Sequence, residues 1–543
     1  MRRSLLLLAA FAAAASAQTP EPLRPGIAVE RLATVPEGTL RLARAPSTGD
    51  LYTLTGGDDV YRLPPPFSTP ELVATATNHS LDNAVWGLEV SADGTLYVVG
   101  NEVTGVLNVG MVMRGTPNGT GGYTWSRLMR TEPHPVNGQG VFDHFFNAVQ
   151  LSPDGASLFV NSGSRTEHGE LQDVNGQYPG LREGALNSVI LRVPANAQDL
   201  VLPNDLGALE AGGYLFADGF RNTFDLALDG AGRLYGTENS GDRDDGDELN
   251  RIVEDGHYGF PWRMGDHDTP QQFPGYDPEA DLLLNHEAWS YQNGFFYNDP
   301  TYPPRPAGVS FIDPVRNLGP DADHYRSEAD GSIRDGSDDG IPQATFTPHC
   351  SPLGLAFDRA GTLPAPYTGD GLMLRWTSGA PGQSVLFEPF GEEGEDLVHL
   401  DFHGPDTVAV TRLVRGFAGP MDAVLVGQTL YVIELGGTRG LWALTFSEVE
   451  ATELPPSPAL ALRAAPSPFR NRATVTLTVE APQVVRMELV DALGRRVALL
   501  HDGALGVGPH AFTVDGARLP AGVYAVRVQG PEGTTSRRLV RVR

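Results

Sequence analysis

Apolar positions along this chain recur with a period of two, in short runs broken by turns. One unit comes back six times: an alternating strand, a turn of the Asp-Gly kind, then a second strand of the L-Y-V type. The copies read LARAPSTGDLYTL (42–54), GLEVSADGTLYVV (87–99), AVQLSPDGASLFV (148–160), DLALDGAGRLYGT (225–237), GLAFDRAGTL (354–363) and DAVLVGQTLYVIE (422–434). Period-two runs around a tight turn predict β-hairpins. Six hairpins at irregular spacing, with loops free to grow on one face, predict a six-bladed β-propeller over residues 18–450.

The longest insertion runs over about 259–346. It holds Tyr291, Phe295, Phe296 and Tyr297, then a polar tract at 321–339 that suits either a solvated loop or a metal-binding loop. Over 451–465 the composition shifts to Pro, Ala and Leu, which predicts a linker. Beyond it, strands near 473–479, 485–490, 510–514 and 522–528 and a final basic strand, RRLVRVR, predict a small Ig-like β-sandwich over 466–543. The fold class is therefore all-β, a propeller followed by a sandwich. Charge reverses at the boundary: from Ala465 onward 11 arginines face 6 acidic residues.

Composition narrows the setting. Met1-Arg2-Arg3, the apolar run 5–15 and Ala15-Ser16-Ala17 form the three parts of an export signal over 1–17, too short to span a bilayer. No later run reaches the roughly 18 apolar residues of a membrane helix, so the mature protein is expected to be secreted or attached to the cell surface. One cysteine, Cys350, excludes an internal disulfide framework. A net charge of −28 argues against nucleic-acid partners. All 39 basic residues are arginine, so no Schiff-base lysine exists.

Chemically demanding residues gather in three clusters, each at the edge of a predicted blade hairpin. Asp143-His144-Phe145-Phe146-Asn147 precedes the third hairpin, and His144 there suits either a base or a structural role. Arg221-Asn222 precedes the fourth; an arginine fork suits a carboxylate or quinone oxygen, or a buried pair with a blade carboxylate. ENSGDRDDGDE (238–248) suits a hard cation such as Ca²⁺, or a solvated acidic turn.

Taken together, His144 with Asn147, Arg221-Asn222, DELNRI (247–252) and HYGFPW (257–262) resemble the glucose/sorbosone dehydrogenase family over most of residues 35–445. That resemblance implies a six-bladed quinoprotein using pyrroloquinoline quinone (PQQ) and Ca²⁺ to oxidise a sugar or polyol, with electrons passed to an external acceptor. It implies His144 as the base, Arg221 as the stabiliser of charge on the quinone, and Asn222 and Asn147 as cofactor contacts. Ser240 and Gly241 fall where the family offers backbone carbonyls to Ca²⁺, and PHCSPLGLAF (348–357) places His349 near the same face.

The chain also departs from that family. The resemblance implies a lysine and two closely spaced arginines for the cofactor's carboxylates, but this chain has no lysine and reads GFAGPMDAVL over 416–425. Arg165, Arg182 and Arg375 are the candidate substitutes. Ser164 stands where an acid would orient the histidine, and Asp82 where a glutamine would stand. The order SPF, ATVTLTV, VDALGRRV, LPAGVYAVRV, RRLVRVR resembles the C-terminal sorting domain of type IX secretion substrates, implying the export machinery as a partner. Two other readings stand beside the dehydrogenase: a non-catalytic surface propeller binding carbohydrate or protein, and a lactonase-type Ca²⁺ hydrolase with side-chain ligands in the central channel.

Overall fold

The computed structural model describes residues 19–136, 142–377, 386, 388–391, 394–448, 461–479, 483–491, 496–520, 522–530 and 533–542. The export signal expected over 1–17 and residues 451–460 of the expected linker lie outside them. The chain divides into two units, Met1–Glu448 and Val449–Arg543. Among the described residues no helix is long and apolar enough to cross a membrane.

In the first unit each repeated hairpin is the antiparallel start of a sheet. The pairs are Thr39–Arg44 with Leu51–Thr55, Gly87–Val90 with Leu96–Thr104, and Phe146–Leu151 with Ser157–Ser162. They continue as Thr223–Leu228 with Leu234–Glu238, Pro352–Phe357 with Gly371–Arg375, and Pro420–Val426 with Thr429–Glu434. The first strand of every hairpin packs on the first strands of the sheets before and after it, and the sixth packs back on the first. Six sheets thus close into a ring around a channel of about 140 Å³ lined by these strands.

Side chains staple the ring from inside. Asp422 of the sixth sheet accepts the Leu42 amide of the first at 2.8 Å, and Asp225 of the fourth accepts the Leu355 amide of the fifth at 2.8 Å. The strand Ile27–Thr34 pairs with Gly440–Phe446, so the start of the chain completes its last sheet. Closure of this kind leaves no open end between first and last sheet.

Two expectations need correction. The fifth hairpin does not turn at 358–361; its second strand begins at Gly371. The Asp358 carboxylate accepts the amides of Thr362, Leu363 and Gly369 at 2.8, 3.0 and 3.0 Å, which ties 358–370 into a longer loop. The polar tract also carries structure: His324–Arg326 pairs with Ile333–Asp335, and Arg316–Pro320 just before it joins the fifth sheet.

The second unit packs two sheets on one core that includes Val475, Leu477, Met487, Val526 and Leu539. Its first strand is Ala461–Ala465, so the end of the expected linker is sheet: Leu462 and Ala464 pack on that core. Buried Glu488 takes Arg486, Arg496 and Arg527 at 3.0, 3.3 and 3.1 Å, which gathers part of the unit's excess positive charge around one carboxylate.

Ring closure is sterically tight at Gly354, where an added Cβ would lie 2.7 Å from Asp422 Cα and 2.8 Å from Ala423 N. Both neighbours are backbone of the adjoining inner strand and cannot swing aside. Gly354→Ala is expected to destabilise the ring by about 1–3 kcal/mol. Tryptophan fluorescence in a denaturant series checks this for the ring alone, since all six tryptophans lie before residue 449.

Candidate functional site

The first strands of the third, fourth and fifth sheets begin at the same end of the ring, at Phe146, Thr223 and Pro352. The residues just before these starts, with the segment leaving Glu238, form its mouth. Asn147 Nδ2 donates to Asn222 Oδ1 at 3.3 Å, Asn222 Nδ2 to Asn239 Oδ1 at 3.0 Å, and Asn239 Nδ2 to the Pro352 carbonyl at 3.2 Å. This amide relay crosses three sheets. Asn147 Nδ2 also donates to the His144 carbonyl at 3.1 Å, while Asn147 Oδ1 is buried with no hydrogen-bond donor among the described residues. Below the relay Arg41 donates to the carbonyls of Trp86, Asn147 and Phe224 at 2.7, 2.8 and 2.6 Å.

His144 is held in one tautomer. Its Nδ1 lies 3.2 Å from both the carbonyl and the hydroxyl oxygen of Ser164. The carbonyl can only accept, and the hydroxyl already donates to the Thr166 carbonyl at 2.9 Å. Nδ1 therefore carries the hydrogen, and the lone pair is on Nε2. Burial, helped by the Arg221 guanidinium, pushes the pKa down to about 3, so the ring is neutral at physiological pH. Gly163 permits the close packing here: an added Cβ would sit 2.5 Å from His144 Cβ and 3.0 Å from the Arg221 carbonyl.

Arg221 is at this mouth but is not free to meet a ligand. Its Nη2 and Nε donate to Glu167 Oε2 at 2.8 and 3.2 Å, Nε also to the Glu167 carbonyl at 2.9 Å, and Nη1 to the carbonyls of Ser240 and Asn239 at 2.9 and 3.3 Å. Of the two readings the sequence leaves open for Arg221, the structure shows the pair with a carboxylate, that of Glu167. The Ser240 carbonyl faces a guanidinium, which opposes a cation at that oxygen. Glu167 also accepts the Asp242 amide, and a Cβ on Gly241 would run into its carboxylate at 2.4 Å.

Glu167 was not among the residues singled out from sequence. It lies in SRTEHGE, a run with no apolar period, and the structure buries all of residues 164–170. The one usable signal was a polar run directly after a strand, carrying two glutamates toward a face already rich in arginine and asparagine.

The acidic loop binds the protein to itself. Asp242 accepts the Ser290 amide at 3.1 Å, and Arg243 pairs with Asp245 and Asp281 at 2.6 and 2.9 Å. Asp244 holds His349 Nε2 at 2.8 Å and also Arg326, and Asp247 takes the amide and hydroxyl of Ser240 at 2.7 and 2.8 Å. Burial raises Glu238 to about 7; burial and then the neighbouring Glu238 charge raise Glu248 to about 8. Among the described residues no group of three or more His, Cys, Asp or Glu side chains is arranged to hold a metal. In the channel, Asp225 and Asp422 each accept two backbone amides, and Glu89 is a third carboxylate in the lining.

A tricarboxylate quinone needs cations, and two of the three candidate substitutes are held in ion pairs. Arg375 is fully buried in a bidentate pair with Asp396 at 2.9 and 2.7 Å. Arg182 pairs with Asp299 at 2.7 Å and donates to the Gly169 carbonyl at 2.7 Å. Arg165 is wholly buried and its Nη1 donates to the carbonyls of Gln172 and Arg182 at 2.9 and 2.8 Å, while its Nε and Nη2 have no hydrogen-bond partner among the described residues. Asp82 is exposed on its loop. The lysine and the late arginine pair that the family resemblance implies for PQQ are absent from the sequence, and of the three candidate substitutes Arg165 keeps unpartnered donors.

No protein-family model matches the chain, and no curated protein does. Among solved structures it is similar to the PQQ-bound aldose sugar dehydrogenase of Streptomyces coelicolor, at 16% identity and TM-score 0.46 over 79% of this chain and 100% of that one. It is similar to the apo form of the soluble aldose sugar dehydrogenase of Escherichia coli, at 15% and 0.47 over 78% and 100%. It is similar to the PQQ domain of pyranose dehydrogenase from Coprinopsis cinerea, at 13% and 0.47 over 79% and 97%. At these values the sites of those proteins say nothing about the chemistry of this one.

Two outcomes follow from the charges at this mouth. Glu167→Gln leaves Arg221 buried without its carboxylate, and the ring is expected to lose roughly 3–5 kcal/mol in denaturant unfolding. The raised carboxyls Glu238 and Glu248 keep protons in the folded ring that the unfolded chain releases above about 4.5. Their contribution is complete below that pH and is lost as pH rises through 7 and 8. The thermal midpoint should fall between pH 5 and pH 8.5, and Glu248→Gln should flatten that fall.

Proposed function

We propose that the ring is a propeller of the sugar-dehydrogenase type that binds a neutral sugar or polyol at this mouth. His144 Nε2 accepts the hydrogen of one ligand hydroxyl, and Asn147 Oδ1 accepts that of a second. The observation that carries this reading is the pairing of a neutral, tautomer-locked histidine with a buried amide oxygen that lacks a donor, joined through the 3.1 Å contact between Asn147 Nδ2 and the His144 carbonyl. A buried acceptor without a donor costs about 1–3 kcal/mol, and a bound hydroxyl removes that cost. The acidic surroundings favour an uncharged ligand over an anionic one.

Oxidation of the bound hydroxyl with PQQ and Ca²⁺, electrons leaving to an external acceptor, is the second reading. It is favoured by the gathering of His144, Asn147, Arg221 and Asn222 at one mouth. Against it stand the pairing of Arg182 and Arg375 with carboxylates and a base whose pKa of about 3 is far from operating pH. The export signal and the type IX address expected from the sequence would put the site outside the cell under either reading.

Titration calorimetry with glucose and sorbitol tests the first reading. Binding by the wild-type protein, weakened about tenfold in His144→Ala, is expected; no heat with any sugar or polyol in a broad panel overturns it. Micromolar PQQ with Ca²⁺ and a reducible dye separates the second reading. Cofactor-dependent dye reduction that His144→Ala abolishes would establish oxidation, and binding of sugar without PQQ uptake would leave a binding propeller.

A further inference from the structure

Beside the mouth lies an aromatic group that the hydroxyl contacts do not use. Trp289, in the short helix Trp289–Gln292 of the long insertion, is 51% exposed. One side of its ring stacks near Phe295, with centroids 5.7 Å apart and planes at 28°. Phe142 meets the Trp289 ring edge-on at 5.9 Å and the Phe295 ring at 4.9 Å. The three rings brace one another and leave about half of the indole side chain exposed.

Three links fix this group against the site. Phe142 is two residues from His144, so their Cα atoms are at most about 7 Å apart. The Ser290 amide, next to Trp289, donates to Asp242 Oδ2 at 3.1 Å, and the Asp242 amide donates to Glu167. Phe296 stacks on His168, the residue after Glu167, with centroids 4.2 Å apart. A half-exposed tryptophan anchored in this way is a rigid surface, not a side chain on a loose loop.

We propose that Trp289 is a stacking platform for the apolar face of a pyranose ring whose hydroxyls reach His144 and Asn147. This rests on the sugar-binding reading of the mouth and makes it more specific. The face of an indole carries negative quadrupole density, and the axial C–H groups of a pyranose present a flat, weakly positive, apolar surface that matches it. An acyclic polyol has the same hydroxyls but no such plane. Trp289 therefore selects cyclic sugars over open-chain polyols, and it does so without a cation or a carboxylate contact.

The test uses the full chain with methyl glucopyranoside and sorbitol as probes, read by calorimetry and by tryptophan fluorescence. Wild-type protein is expected to bind the glucoside more tightly and to shift its emission on binding. Trp289→Ala should weaken the glucoside about tenfold and leave sorbitol nearly unchanged, while Trp289→Phe keeps most of the affinity. Both variants should retain the wild-type unfolding midpoint, because half of this side chain is already in water. Unchanged glucoside binding in Trp289→Ala overturns the platform and leaves the sugar-binding reading standing. Equal weakening of both ligands also overturns it. No binding of either probe by the wild-type protein, nor of any other sugar, overturns both.

Discussion

Everything at the mouth depends on the closure of the ring. The strand Ile27–Thr34 joins Gly440–Phe446, and Asp422 reaches across to the Leu42 amide, so the last sheet is held to the first by strand pairing outside and by a carboxylate inside. Closure fixes the angular position of each sheet. Residues far apart in sequence, such as Asn147, Asn222 and Pro352, can then be aligned within hydrogen-bond range at one end without any of them being adjacent in the chain. Opening the seam would let neighbouring sheets rotate, and contacts of about 3 Å would be the first to fail.

The mouth spends its charge internally. Arg221, Arg243, Arg326 and His349 are matched with Glu167, Asp245, Asp281 and Asp244, and these pairs tie the long insertion and the acidic loop to the fourth sheet. Such pairs give little net stability relative to apolar packing, yet losing one partner is costly, so they favour a single arrangement. The His144 imidazole and the Asn147 amide beside these pairs are neutral.

Much of the fold was legible because its signal is local. Period-two runs around turns mark each inner hairpin, and Arg221-Asn222 and His144 stand out at hairpin entrances. The fifth hairpin misled because Asp358 draws three later amides into a loop, a contact set that no alternation announces. Glu167 escaped notice for a different reason: its importance lies in a partner 54 positions away. The Ala461–Ala465 strand was hidden by a composition of alanine and leucine flanked by proline, which reads alike in a linker and in an edge strand. Charge pairing across space has no period, and that is where reading by pattern ends.

The asparagine relay has a direction. Each amide gives its hydrogen forward, from Asn147 to Asn222 to Asn239 to the Pro352 carbonyl, so the three side-chain dipoles add along the rim instead of cancelling. A donor arriving at Asn147 Oδ1 polarises the first amide, and each later bond strengthens in turn. The rim therefore behaves as one polarisable arc that runs from the buried Asn147 Oδ1, beside His144, to the first residue of the fifth inner strand.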